Sequence, residues 1–140
     1  MREILFRAKR VDTGEWVQGS YVYAFCENTK IPIVGVMGEN NWIVEENGNM
    51  IPIDKNTLCQ YTGMTDKNGQ KIWENDILVA HLDENYPEDE TYEQVIWHES
   101  GFCTMEKNST DCEPLDGFDT RYFAVCGNIF DNAELLERKE

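Results

Sequence analysis

The chain has no CxxC pair, and its five cysteines (Cys26, Cys59, Cys103, Cys112 and Cys126) are odd in number. That excludes a regular secreted disulfide framework and suits reduced thiols. Histidine is scarce, with two residues in 140. No GxSxG, P-loop or dinucleotide-binding glycine pattern is present, so the familiar signatures of a nucleophilic serine or a phosphate cradle are missing. Long apolar runs are missing too. No window approaches the length of a membrane span, and the opening MREILFRAKR does not read as a signal peptide. A cytoplasmic location is the expectation. Basic residues are few: 12 Lys and Arg stand against 27 Asp and Glu, for a net charge of −15.

What is present is a globular composition, with 41% apolar residues, four Trp, six Tyr and six Phe. A chain of this length can bury about two-thirds of its unfolded surface and needs no metal or disulfide to fold. The acidic excess is uneven. Residues 1–72 hold nine acids and eight bases, while residues 73–140 hold eighteen acids and four bases. Nearly all the surplus therefore lies in the second half, where it repels nucleic acid and attracts basic surfaces.

Short β-branched and aromatic runs bounded by Gly, Asn and Pro predict strands along most of the chain. EILFRAKR and EWVQGSYVYAF flank the turn sequence DTGE (Asp12–Glu15) and predict a hairpin. IPIVGVMG, NWIVEE and MIPI are further strand candidates, followed by DILVAHL, by a hairpin around Glu99–Gly101 and by RYFAVCGNIF. KNSTDCEPLDGFDT (Lys107–Thr120) reads as a loop. The tail DNAELLERKE predicts a helix capped by Asp131 or Asn132, with Glu134 in its first turn. The expected fold is mainly β, with antiparallel sheets, an SH3-like barrel-type part and a short C-terminal helix. The expected division is an N-terminal β subdomain over residues 1–56 and a barrel-like one over residues 57–140, with one compact domain as the alternative.

QYTGMTDKNGQKIWENDILV (Gln60–Val79) concentrates turn residues. Asn68-Gly69 predicts a type I′ hairpin turn. Thr62-Gly63 predicts a bend, Asn75 a left-handed residue, and Asp76 a side chain that bonds nearby backbone N–H groups. A ligand-binding loop is the competing reading, but every polar residue here has a folding role.

YTGMTDKNGQKIWENDILV also resembles the hallmark of the YopX family, small proteins of phages and prophages of mainly Gram-positive bacteria. FRAKRVDTGEWVQGSYVY resembles that family's opening, IPIDKNTLCQYTG its linker, and VIWHESGF and VCGNIFDNAELL its final strands. The residues carrying the hallmark are Tyr61, Thr62, Gly63, Asp66, Asn68, Gly69, Ile72, Trp73, Glu74 and Asp76. Asn75 departs from it, standing where glycine is usual. The acidic DENYPEDE is a second departure. The resemblance implies a mostly β fold with a barrel-like part, in a host bacterial cell. It implies no particular activity.

Several sites merit weighing. DENYPEDE (Asp83–Glu90) supplies Asp83, Glu84, Glu88, Asp89 and Glu90 as a candidate face for a basic protein or a mimic of DNA phosphates. Its alternatives are a solvated loop or a cation site, the last without the glycine and spacing of an EF-hand. His81 and His98, with Cys103 or Cys126, are a zinc candidate that no ligand spacing supports. Cys126 reads as core, and Ser100 and Ser109 lack a nucleophile motif. Arg7, Lys9 and Arg10 form a small basic patch, which the overall field opposes as a nucleic-acid site and which suits the acidic half of another copy. Trp16, Tyr21, Tyr23 and Trp42 are stacking candidates if the protein is a nucleic-acid-binding small β-barrel. The leading expectation is a non-enzymatic, cofactor-free protein-binding module with a basic partner, homo-oligomers possible and nucleic acid disfavoured.

Overall fold

The computed structural model describes residues 4–23, 41–81, 90–99, 101–106, 112–115 and 122–137. The segments IPIVGVMG and KNST, and the acidic residues Asp83, Glu84, Glu88 and Asp89, lie outside them. The chain divides into two compact units, Met1–Gln60 and Tyr61–Glu140. The strand ladders are all antiparallel.

In the first unit, β1 (Phe6–Lys9) and β2 (Trp16–Tyr23) form the predicted hairpin, in register Phe6↔Gly19 to Lys9↔Trp16. Its turn closes with the Gly14 N–H donating to the Arg10 carbonyl, and Gly14 takes a φ of 76° that a side chain would disfavour. β3 (Asn41–Val44) pairs with β2, and β4 (Met50–Pro52) pairs with β3. The order is thus β4-β3-β2-β1, and β1 is met on its other side by Cys59 and Gln60, the first residues of β5 (Cys59–Thr65). A 3-10 turn at Lys55–Thr57 precedes β5, with the Asp54 carboxylate accepting from the Asn56 N–H. Buried Thr57 stitches the turn to β1, accepting from the Lys9 N–H and donating to the Asp54 carbonyl. Ala8, Ile43 and Ile53 are fully buried, with Phe6, Val17, Tyr21 and Leu58 packed against them. Each isoleucine so buried contributes about 1.5–3 kcal/mol.

In the second unit, the rest of β5 pairs with β6 (Lys71–Trp73). A five-stranded sheet follows in the order β10-β9-β8-β7-β11. Its strands are β7 (Asp76–His81), β8 (Glu90–His98), β9 (Gly101–Glu106), β10 (Glu113–Pro114) and β11 (Phe123–Asn128). Ile72, Leu78, Val95 and Phe102 make its core, joined by Leu115, Phe123 and Val125. The β8–β9 hairpin turns through Glu99, whose φ is 56°.

Four expectations are corrected. No closed barrel forms among the described residues. β10 is two residues long and contains Pro114, which cannot donate to a further ladder. The free edge of β11 is met by a turn instead of a strand: the Lys67 N–H donates to the Phe123 carbonyl at 3.1 Å, and the Val125 N–H donates to Asp66 Oδ2 at 2.9 Å.

The tail, secondly, holds a 3-10 turn at Ala133–Leu135 and no longer helix among the described residues. Asn132 does not cap it. Its carboxamide turns back to accept from the Asn128 N–H, and Asn128 Oδ1 in turn accepts from the N–H groups of Phe130 and Asp131. These local bonds compete with a helical start, whose nucleation is costly. Thirdly, Cys126 is exposed, because the β7–β11 register shifts between Val125 and Gly127 and places it on the bulge. Lastly, the segment read as a loop over residues 107–120 contains β10.

Candidate functional site

The patterned stretch after Gln60 is the natural place to look for a site. Thr62 is buried and its hydroxyl donates to the Ile72 carbonyl at 2.7 Å. The same oxygen accepts from the Met64 N–H at 3.2 Å. Gly63, with a φ of 89°, lies where the β5–β6 register shifts, so the predicted bend is a bulge within β5.

The turn that follows is not type I′, because only Gly69 of the Asn68-Gly69 pair has a positive φ. The Gly69 N–H donates to the Asp66 carbonyl, and the Asp66 N–H to the Gln70 carbonyl. Asp66 Oδ1 accepts from the N–H groups of Asn68 (2.8 Å) and Gln70 (2.9 Å). The side chain therefore moves the turn one residue towards the N-terminus and leaves glycine alone in the left-handed region.

The second corner, at Glu74-Asn75-Asp76, has Asn75 at a φ of 69°, as its sequence predicts. Gln94 Nε2 donates to Asn75 Oδ1 at 3.0 Å, and the Asn75 N–H donates to the Val95 carbonyl at 2.7 Å. Asp76 is 1% exposed, and its Oδ2 accepts from the Trp73 N–H at 2.7 Å. Tyr61 and Trp73 pack with ring centroids 5.5 Å apart, and Ile72 is fully buried. Within the second unit the hallmark residues thus meet as turn locks, an edge cover and core. Replacing Asn75 with glycine relieves the backbone but removes the Gln94 bond. The two effects are each about 1 kcal/mol and opposite in sign, so denaturant melts of N75G are expected to fall within about 0.5 kcal/mol of the parent.

The chain matches the family described as YopX protein over residues 5–137. It belongs to the YopX family. Among solved structures, protein EF1440 from Enterococcus faecalis is similar, with 22% sequence identity and a TM-score of 0.56, over 97% of this chain and 99% of that one. That likeness concerns the fold. No curated protein matches the chain.

Beyond the hallmark, the first unit of this YopX chain carries a basic and aromatic cluster. Arg7 lies over the Trp16 ring with its guanidinium carbon 4.6 Å from the centroid, and Lys9 Nζ lies 5.5 Å from it. Arg7 and Lys9, two residues apart on β1, share one face of it. Arg10 makes a two-point pair with Asp12, both contacts 2.9 Å. Its hydrogen bond holds the Asp12 carboxyl below the usual range and raises Arg10. The Asp12 side chain is exposed and that of Arg10 half-buried, so the pair shapes the hairpin turn and adds little to stability. Lys9, Arg10, Val11, Gly14 and Asp54 line a shallow cleft of about 340 Å³.

The four stacking candidates separate. Trp42 is buried, with no partner for its indole N–H among the described residues. Tyr21 packs in the core beside Phe6, and its hydroxyl donates to Asn41 Oδ1. Trp16 is half-buried, and Tyr23 is 65% exposed.

In the second unit, Glu93 of β8 stands directly across from Glu106 of β9. Such a like-charge cross-strand pair is unfavourable. Glu99, Glu106, Glu113, Asp131, Glu134 and Glu137 are exposed. Of the predicted acidic face, only the Glu90 backbone is described, as the start of β8 opposite His81. His98 Nε2 lies 3.8 Å from Glu99 Oε1. Among the described residues no group of three His, Cys, Asp or Glu side chains could hold a metal ion, and no helix is long and apolar enough to cross a membrane. The segregation of charge by unit was legible as a charge count; the edge-covering role of Asp66 had no sequence signal, since its partner Val125 is 59 residues away.

Proposed function

We propose that this YopX-family chain is a non-catalytic, cofactor-free accessory protein of a phage or prophage, acting in the host cytoplasm. It binds a basic protein through its acidic second unit. One observation carries this reading: residues 61–140 contain 19 acids and 6 bases, so that unit holds −13 of the chain's −15. A field of that strength speeds encounter with a basic surface and is screened within roughly 10 Å at 0.1 M salt. A DNA-binding protein, met through a phosphate-like array of carboxylates, is the strongest form of the reading.

The cation–π cluster of Arg7, Lys9 and Trp16 supports a second reading, a single-stranded nucleic-acid surface. Salt and substitution separate the two. Capture from a lysate of its host is expected to retain a basic protein, at least about tenfold less in the variant carrying D83N, E84Q, E88Q, D89N and E90Q. Equal capture by both proteins removes the acidic loop from the reading. A low-salt gel shift of single-stranded DNA that R7A and K9A abolish would favour the nucleic-acid surface instead.

A further inference from the structure

Two thiols of the second unit are brought together by its smallest strand. β10 pairs with β9 in register Glu113↔Thr104 and Pro114↔Cys103, and the Leu115 N–H donates to the Phe102 carbonyl just beyond. Cys112 immediately precedes β10. Two residues from Pro114, it projects to the same face as Cys103, on the diagonal. A strict ladder diagonal places such residues about 7–8 Å apart, slightly beyond the roughly 7 Å between Cα atoms that a disulfide spans. Cys112, however, stands outside the two-residue ladder and is not held to that spacing. Burial first, then a hydrogen bond and the charge of Cys112, push the Cys103 thiol up in pKa, and the Cys103 thiol also donates to the Gly101 carbonyl at 3.9 Å. Both cysteines are free.

We propose that Cys103 and Cys112 are a thiol–disulfide modification site, whose substrate is a low-molecular-weight disulfide such as oxidised glutathione. Cys112 is half-buried and Cys103 buried, so Cys112 is the entry thiol. Its thiolate attacks one sulfur of the small disulfide, forming a mixed disulfide and releasing one small thiolate, which takes up the proton Cys112 gave to solvent. The Cys103 thiolate then attacks the Cys112 sulfur. The new bond joins the two protein sulfurs, and the second small thiol leaves with an electron pair and a proton. The protein loses two hydrogens, and one small disulfide becomes two small thiols. Burial, which persists after Cys112 has reacted, makes Cys103 slow to ionise and a poor leaving group, so the closed link forms slowly and resists reopening.

The remaining described cysteines are placed for neither step. Cys59 is buried in the first unit, where its thiol donates to the Thr57 carbonyl. Cys126 lies on β11, at the opposite edge of the sheet from β10, and its thiol donates to the Ile77 carbonyl at 3.3 Å. The inference stands apart from the binding reading, since it concerns no partner.

The test uses the full chain, reduced and then incubated with oxidised glutathione. The reaction is quenched with acid, remaining thiols are alkylated, and the peptides are mapped by mass spectrometry. A Cys103–Cys112 link is expected as the dominant intramolecular product, preceded in time by glutathione on Cys112. C112S is expected to lose the link and leave Cys103 reduced. Glutathione that stays on Cys112 without closure overturns the proposal. So does pairing spread over the five cysteines in the wild type, a result that does not depend on whether any variant folds.

Discussion

Replacing Asp66 with alanine is expected to lower stability by about 2–3 kcal/mol and to open one edge of the second sheet. Asp66 is 5% exposed and accepts three backbone N–H groups with one carboxylate. The three losses are unequal. Asn68 and Gln70 are exposed, so water replaces their acceptor at small cost. The Val125 N–H is half-buried on the free edge of β11, and leaving such a donor without an acceptor costs about 1–3 kcal/mol. A bond to a charged acceptor lies at the upper end of the usual range. Once the turn loosens, the neighbouring bond from the Lys67 N–H to the Phe123 carbonyl weakens with it.

D66N separates the two duties. An amide keeps one acceptor oxygen, so it can serve the turn or the edge but not both, and an intermediate loss of about 1–2 kcal/mol is expected. Hydrogen exchange reads the edge directly. In D66A the Val125 amide loses protection while the amides of β8 and β9 keep theirs. An uncovered edge is also a template for strand pairing, so D66A is expected to associate as concentration rises. A loss below about 0.5 kcal/mol, with Val125 still protected, would sink the account.

The reach of the sequence is uneven for a physical reason. Features set by neighbours in the chain were readable. The β1–β2 hairpin follows from alternating strands around DTGE, and the left-handed Asn75 follows from a side chain that tolerates that conformation. Features set by distant partners were not. The type I′ expectation failed because propensity speaks for Asn68-Gly69, whereas the Asp66 carboxylate chooses the turn and is itself held from Val125. The tail failed likewise. Glu134 and a capping asparagine predict a helix, but the Asn132 carboxamide sits where a Cβ on Gly127 would lie 2.5 Å from its oxygen. That placement commits it to β11. The pairing of Cys103 with Cys112 was equally hidden, since no motif spacing records a diagonal across a two-residue strand. On the side of function, the charge asymmetry was in the sequence from the start, whereas the sorting of Trp16 and Tyr23 from Trp42 and Tyr21 needed the sheet faces.

Gly19 carries the second large effect. It lies in β2, between β1 and β3, opposite Phe6. Its φ is not in the left-handed region, so backbone conformation alone does not demand glycine. Space does. A Cβ there would lie 2.1 Å from the Val44 carbonyl oxygen, 2.8 Å from the Val44 carbonyl carbon and 3.1 Å from Ile43 Cγ2. The two nearest atoms are backbone, so no rotamer change relieves them, and β3 must move. Ile43 is fully buried in the core of the first unit, and moving β3 drags it. G19A is therefore expected to cost about 3 kcal/mol or more, the upper end for an overpacked site. Protection of the amides in β2 and β3 is expected to fall before that in the second unit's sheet. G101A supplies the contrast. A Cβ on Gly101 meets nothing within 4 Å, and its φ is not positive either. The same added methyl there is expected to leave stability unchanged or raise it by about 0.4–1 kcal/mol, through the reduced freedom of the unfolded chain. If denaturant melts gave the two alanines equal effects, the close approach of β2 and β3 would not be what requires glycine at position 19.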